Sequence, residues 1–179
     1  MYKRQGKGGN VVAFLMEHEH FSYPEAIRFL AKRYNIEIEE TEQTQEEKEK
    51  ANSKESLYLV NQYAQESFEK DLWEYSEGIA IGLSYFKERG FKDETIRFFG
   101  LGYATEMKDH FYRKAIKAGY SEEYLASSGL VIKNERGAID RFRGRVIFPI
   151  RTMGGRVQGF GGRILSSTAK TAKYLNSPE

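Results

Sequence analysis

The stretch RFRGRVIFPIRTMGGRVQGFGGRI, residues 141–164, holds six arginines and six glycines. Val146, Phe148 and Ile150 alternate with Arg145, Ile147, Pro149 and Arg151, the two-residue period of a half-buried strand. Gly154-Gly155 is a hairpin-turn signal, and residues 156–164 return as a second strand. Pro149 has no amide proton for a ladder, which places its strand at an edge or at a bulge. Arg141, Arg143 and Arg145 have i, i+2, i+4 spacing, so a strand through them would point all three to one face. Gly159, Gly161 and Gly162 on the return strand leave room for a close neighbour, which could be an extended phosphate backbone. Arginine matches phosphate in planar, bidentate geometry. Two readings follow: a nucleic-acid or nucleotide surface, and a solvated basic hairpin.

Charge favours the first. The chain has 179 residues and a net charge of only +2. From Lys133 onward, ten Lys/Arg face three Asp/Glu, a balance of +7, while residues 1–132 carry 18 against 23. The electrostatic footprint therefore lies at one end. Hydrophobic residues make up 40% and aromatics 14%, sufficient for a real core. No run reaches the roughly 18 apolar residues of a membrane span, and the first residues lack the apolar segment of a signal peptide. With no cysteine, disulfides and thiolate zinc ligands are excluded, and the expected compartment is the cytoplasm.

Upstream of the arginine-rich stretch the pattern is helical. Asn10 is an N-cap for a helix to about His20. Ser22 and Glu25 form a capping box with Pro24 in the first turn, and Ala26, Ile27, Leu30, Ala31 and Tyr34 share a face. These two helices should pack as a hairpin. Seven glutamates between residues 37 and 50 read as a solvated linker and the polar start of a long helix. Leu57, Val60, Ala64, Phe68 and Leu72 form its apolar stripe. Shorter helices are predicted over 79–89, stopped by Gly90; over 93–99, capped by Asp93; over 107–118, stopped by Gly119; and over 121–126. Leu130–Ile132 is a short β-type run. The chain closes on KYLNSPE without a further strand pattern, so the sheet is expected to be completed by residues beyond it.

Other motifs carry less. Gly6-Lys7-Gly8-Gly9 lacks the spacing and the Ser/Thr of a phosphate loop. His18-Glu19-His20 places its histidines two apart, on different helix faces. No self-contained active site emerges from these residues.

The runs DRFRGRVIFPI, GRVQGFGGRIL and KYLNSPE resemble the catalytic core of bacterial DNA primase. LSYFKERGFKDETIRFFGLGYA resembles that family's block upstream of them, and GKGGNVVAFLMEHEHFSYPEAIRFLAKRYNIEI resembles the tail of its zinc-binding domain. The blocks occur in the family's order and cover nearly the whole chain.

The resemblance implies an α+β chain: a helical N-terminal subdomain followed by a basic, glycine-rich antiparallel β-hairpin region that starts an incomplete sheet. Residues 1–38 would be a remnant of the zinc-binding domain, 39–52 an acidic linker and helix start, and 53–179 the N-terminal subdomain of the catalytic core, ending before the Toprim subdomain. The family makes short RNA primers on a single-stranded DNA template from ribonucleoside triphosphates in the bacterial replisome. Its replicative helicase contact belongs to a C-terminal domain not in this sequence. Mg²⁺ and Zn²⁺ serve the parent enzyme, but Gln5 stands where the last zinc ligand is expected, and the catalytic carboxylates would follow KYLNSPE. Neither catalytic residues nor metal ligands are therefore assigned, and the chain alone should be inactive. The nucleic-acid-binding set is Arg89, Arg141, Arg143, Arg145 and Arg163, with Lys173 and Asn176 binding nucleotide. A helix-terminal cation at Arg89 and an edge charge at Arg145 are the competing readings. A non-catalytic single-stranded DNA-binding module is the alternative for the whole chain, and a helical interaction domain is a third.

Overall fold

The computed structural model describes residues 10–37, 45–135, 137–165 and 171–178. Gln5, Gly6–Gly9 and residues 39–44 of the expected linker lie outside them. The chain divides into two compact units, Met1–Lys48 and Glu49–Glu179.

In the first unit, helix α1 (Val11–His18) starts where the Asn10 side chain accepts the Ala13 N–H at 2.9 Å. Helix α2 (Tyr23–Tyr34) starts at the expected capping box, with the Ser22 N–H donating to Glu25 Oε2 at 2.7 Å. The two helices pack together around Leu15, Ala26 and Ala31.

The second unit is built on α3 (Gln45–Glu74). Val60, Ala64, Phe68 and Leu72 are all buried, because i, i+4 spacing puts them on one helix face. The sequence pattern predicts a single helix over 79–89. The structure has instead a π-helical turn, Gly78–Leu83, followed by α4 (Ser84–Glu88). Gly78 is pressed against α3; a Cβ there would lie 1.9 Å from the Asp71 carbonyl oxygen. Helix α5 (Asp93–Phe99) has Lys92, not Asp93, at its N-cap. Asp93 and Glu94 occupy its first turn, favoured there by the helix dipole.

Helix α6 (His110–Lys117) begins three residues later than predicted, because its cap comes from a distant segment. Asp140 accepts the Phe111 N–H at 2.7 Å and the Tyr112 N–H at 3.0 Å. Burial pushes its carboxyl up to about 6, while the two amide donations pull the other way. Helix α7 (Glu122–Ser127) is capped by Ser121 as predicted.

Two antiparallel sheets follow. Strands β2 (Val131–Asn134) and β3 (Gly137–Asp140) pair alone. The larger sheet has the order β1-β4-β5-β6, from β1 (Gly102–Ala104), β4 (Arg145–Arg151), β5 (Val157–Ile164) and β6 (Tyr174–Asn176). The β4–β5 hairpin turns through Gly154 and Gly155 as expected, with the Gly155 N–H donating to the Thr152 carbonyl at 2.9 Å. Strand β1 covers only Arg145–Ile147 of β4, so Pro149 needs no donor on that side. The ladder bulges between Ile150 and Arg151.

Strands β1 and β6 correct the sequence reading, which makes the region before residue 127 wholly helical and gives the KYLNSPE end no strand. Strand β6 pairs with β5 from Gly161↔Asn176 to Arg163↔Tyr174. Alternation along β4 sends Ile147 to a core cluster with Phe68, Phe111, Phe142 and Phe160. It sends Val146 to a second cluster with Leu72, Phe86, Ile96 and Tyr103.

Candidate nucleic-acid interface

The six arginines of residues 141–164 have very different surroundings. Residues 141–144 form a turn, not a strand. The Gly144 backbone takes φ +62, a conformation that glycine adopts at little cost. The expected common face of Arg141, Arg143 and Arg145 is therefore not formed. Arg143 is exposed and Arg141 half-buried, its Nε enclosed with no partner. Arg145 is only 4% exposed. It donates to the Ala172 carbonyl at 2.9 Å, the Lys173 carbonyl at 3.3 Å and Thr171 Oγ1 at 3.5 Å. It holds a neighbouring stretch of this chain and presents no free guanidinium to solvent.

Arg151 and Arg156, at the hairpin tip, are also occupied. Arg151 donates to the Gly155 carbonyl at 2.9 Å and to Gln65 Oε1 at 3.1 Å. Arg156 pairs with Glu55 at 2.6 Å and lies over the Tyr58 ring at 4.0 Å. These contacts fasten the tip to α3.

The glycines of β5 also serve internal packing. A Cβ at Gly162 would lie 2.6 Å from Cδ1 of Phe142, so the missing side chain makes room for that ring. Gly159 and Gly161 face Ser177 and Asn176 in the same way, at 3.0 and 3.3 Å. The space read from the sequence as an approach for phosphate is filled by the chain itself.

Arg163 differs from the rest. It lies on β5 opposite Val146, on the sheet face turned toward α4. Its Nη1 donates to Tyr85 Oη at 2.6 Å, and its Cζ stands 5.1 Å from the Tyr85 ring and 5.6 Å from the Tyr174 ring. Arg89, four residues after Tyr85, lies over the same Tyr85 ring at 4.7 Å. Arg89, Arg163 and Lys173 line one open cleft of about 720 Å³ with Ala80, Ile81, Ser84, Tyr85, Glu88, Ile164, Leu165 and Thr171. The lining thus carries three cations against one carboxylate. Among the described residues, none of the three cations has an ion-pair partner. Asn176 lies on β6, exposed, with its Oδ1 toward Gly161, and it does not line the cleft. Three of the seven residues singled out in the sequence therefore meet in one place. Tyr85 is not among those seven, although its i, i+4 relation to Arg89 is readable.

An unneutralised cationic cleft beside a glycine-rich sheet agrees with the comparisons. Residues 67–179 match the family described as DNA primase catalytic core, N-terminal domain. That is more than half of the chain. The chain belongs to this primase family.

Residues 4–46 match the CHC2 zinc finger. The DNA primase of Deinococcus radiodurans is 42% identical over 173 residues, which are 96% of this chain and 28% of that protein. The DNA primase of Clostridium acetobutylicum is 38% identical over 174 residues, 97% of this chain and 28% of that protein. The chain thus spans a little over a quarter of the length of these relatives. The crystal structure of the RNA polymerase domain of Mycobacterium tuberculosis primase DnaG, in complex with a double-stranded DNA oligomer with a 6-nucleotide overhang, has a TM-score of 0.66 at 34% identity. That match covers 70% of this chain and 39% of the other.

Membership in the primase family raises the question of metals. The chain has no cysteine, and among the described residues no three His, Asp or Glu side chains converge on one point. The residues described do not fit a zinc or magnesium ion.

Proposed function

We propose that this chain supplies template and nucleotide contacts to a primase that makes RNA primers on single-stranded DNA. The observation that carries this reading is the cleft where Arg89, Arg163 and Lys173 stand together with no carboxylate partner among the described residues. Clustered cations of this kind hold phosphate and release counterions when they do. Arg141 and Arg143, at the turn before β4, extend the contact to the template backbone, and Asn176 contacts nucleotide beside Lys173. Arg145 acts through the 171–173 segment that it holds.

The reaction would be phosphoryl transfer, in which positioning and charge neutralisation dominate. The ribonucleoside triphosphates, the growing RNA primer, Mg²⁺, the helicase partner and the bacterial cytoplasm belong to this proposal for the whole enzyme. The Mycobacterium tuberculosis relative, crystallised with an overhanging DNA oligomer, supports the nucleic-acid part.

The test is fluorescence anisotropy of a labelled single-stranded oligonucleotide across a salt series. Binding should weaken with log[salt] at a slope of about −0.7 per phosphate neutralised. Arg141→Ala/Arg143→Ala should give a shallower slope, by about one to two phosphates' worth. A chain that binds no DNA at low salt would refute the reading.

A further inference from the structure

Two cations that meet at one aromatic ring need something other than a carboxylate to hold them. In the cleft, Arg89 and Arg163 converge on a single ring, with Cζ atoms 4.7 and 5.1 Å from the Tyr85 centroid. Neither has an ion-pair partner among the described residues. Glu88, the one carboxylate in the lining, makes no ion pair with them. What holds the pair is the tyrosine. Its π face attracts both guanidinium groups, and its hydroxyl accepts from Arg163 Nη1 at 2.6 Å.

The local fold explains why the ring is available. On α4, Phe86 is fully buried in the core. Tyr85, one residue earlier, points about 100° away around the helix, into the cleft. Arg89, at i+4, falls on the same face as Tyr85. Arg163 arrives from β5, and its Cζ also stands 5.6 Å from the Tyr174 ring. The Arg163 Nε is enclosed and has no partner, so this guanidinium is fixed while incompletely satisfied.

We infer that Tyr85 is a positioning residue for phosphate binding: it holds Arg89 and Arg163 as a preformed pair of cations without neutralising them. This inference rests on the proposed reading of the cleft as a phosphate-binding site. A carboxylate in the same place would fix the arginines equally well but would cancel the charge that the ligand needs. The aromatic ring fixes them and leaves the charge in place.

The experiment uses the full 179-residue chain and a fluorescein-labelled oligothymidylate, with anisotropy measured from low to moderate salt. Tyr85→Phe keeps the ring and the packing against Phe86 but removes the acceptor; affinity should fall about threefold. Tyr85→Leu removes the ring as well, and the loss should reach about three- to thirtyfold. The Leu variant should also show a salt slope shallower by about 0.7 for each phosphate no longer neutralised, which a merely structural role would not produce. In an Arg163→Ala background, Tyr85→Phe should have no further effect. If Tyr85→Phe costs the same factor with and without Arg163, or if Tyr85→Leu leaves the slope of the wild type, the positioning role is refuted and the phosphate site stands. If the unsubstituted chain does not bind the oligonucleotide, the phosphate site itself is refuted and the role of Tyr85 falls with it.

Discussion

The two ends of the β4–β5 ladder carry the same residue type in different surroundings. At the hairpin tip, Arg151 and Arg156 are spent on Gln65, the Gly155 carbonyl, Glu55 and the Tyr58 ring. At the other end, Arg163 meets Arg89 across a tyrosine, and Lys173 stands in the same cleft. Arginine density alone does not mark a ligand site. The difference lies in what occupies each side chain: Glu55 and neutral acceptors of α3 and the turn at the tip, an aromatic ring in an open cleft at the other end. Glu55 also sits below its ordinary range because the Arg156 guanidinium hydrogen-bonds to it.

The heaviest way to break the comparison is Phe160→Ala, in the core cluster on the ladder face opposite Arg163. Phe160 is fully buried and meets Phe68 edge-on at 5.5 Å. Its removal should cost about 3–5 kcal/mol, read as a drop in the urea midpoint, and should weaken both ends together.

A second perturbation leaves both ends untouched. The folded state holds the proton of Asp140 more tightly than the unfolded chain does, since its carboxyl is pushed up to about 6. This contribution is fully present below about pH 4 and is lost as the pH rises through about 6. It amounts to roughly 3 kcal/mol at most. Urea unfolding from pH 4 to 7 should show that decline in the wild type and a flatter profile in Asp140→Asn.

Arg145→Met sharpens the comparison at the cleft end. It removes the side-chain donors to the Ala172 and Lys173 carbonyls, the second of which still accepts the Ile164 N–H, and should cost about 1–3 kcal/mol. Amide exchange should accelerate at Ile164, whose N–H donates to the Lys173 carbonyl at 3.0 Å, but not at the hairpin tip. The finest test pairs Arg163→Ala with Arg156→Ala. The first should make the salt dependence of DNA binding shallower by about 0.7. The second should leave that slope unchanged and slightly lower the melting temperature. Equal slopes in the two variants would erase the electrostatic distinction between the two ends.

Much of the fold was legible because its signals are local. The α3 stripe, the Ser22–Glu25 capping box and the Gly154-Gly155 turn each lie within a few residues. Strands β1 and β6 were not legible, since three residues show no period and become strands only through their neighbours β4 and β5. The late start of α6 was hidden because its cap, Asp140, lies 29 residues beyond Phe111. At the site, Arg89, Arg163 and Lys173 were found through ordered blocks of family resemblance. Arg145 is misplaced when a strand period is carried through Gly144, whose presence in RFRG is the available warning. The β5 glycines do mark places of close approach, but the approaching groups are Phe142, Asn176 and Ser177. Nothing in the spacing of a single strand distinguishes a ligand from a neighbouring side chain.

The π-helical turn at Gly78–Leu83 ties the cleft and the core beneath it to a single count of residues. A π turn accommodates one residue more than an α turn in the same length of helix. Were the segment to wind as α-helix without losing that residue, everything after it would be rotated by about 100°. Tyr85 and Arg89 would then leave the cleft, and Phe86 would leave the core. The reading frame of one short helix thus couples the packing of the second aromatic cluster to the presentation of charge, and a length change at this point cannot alter one without the other.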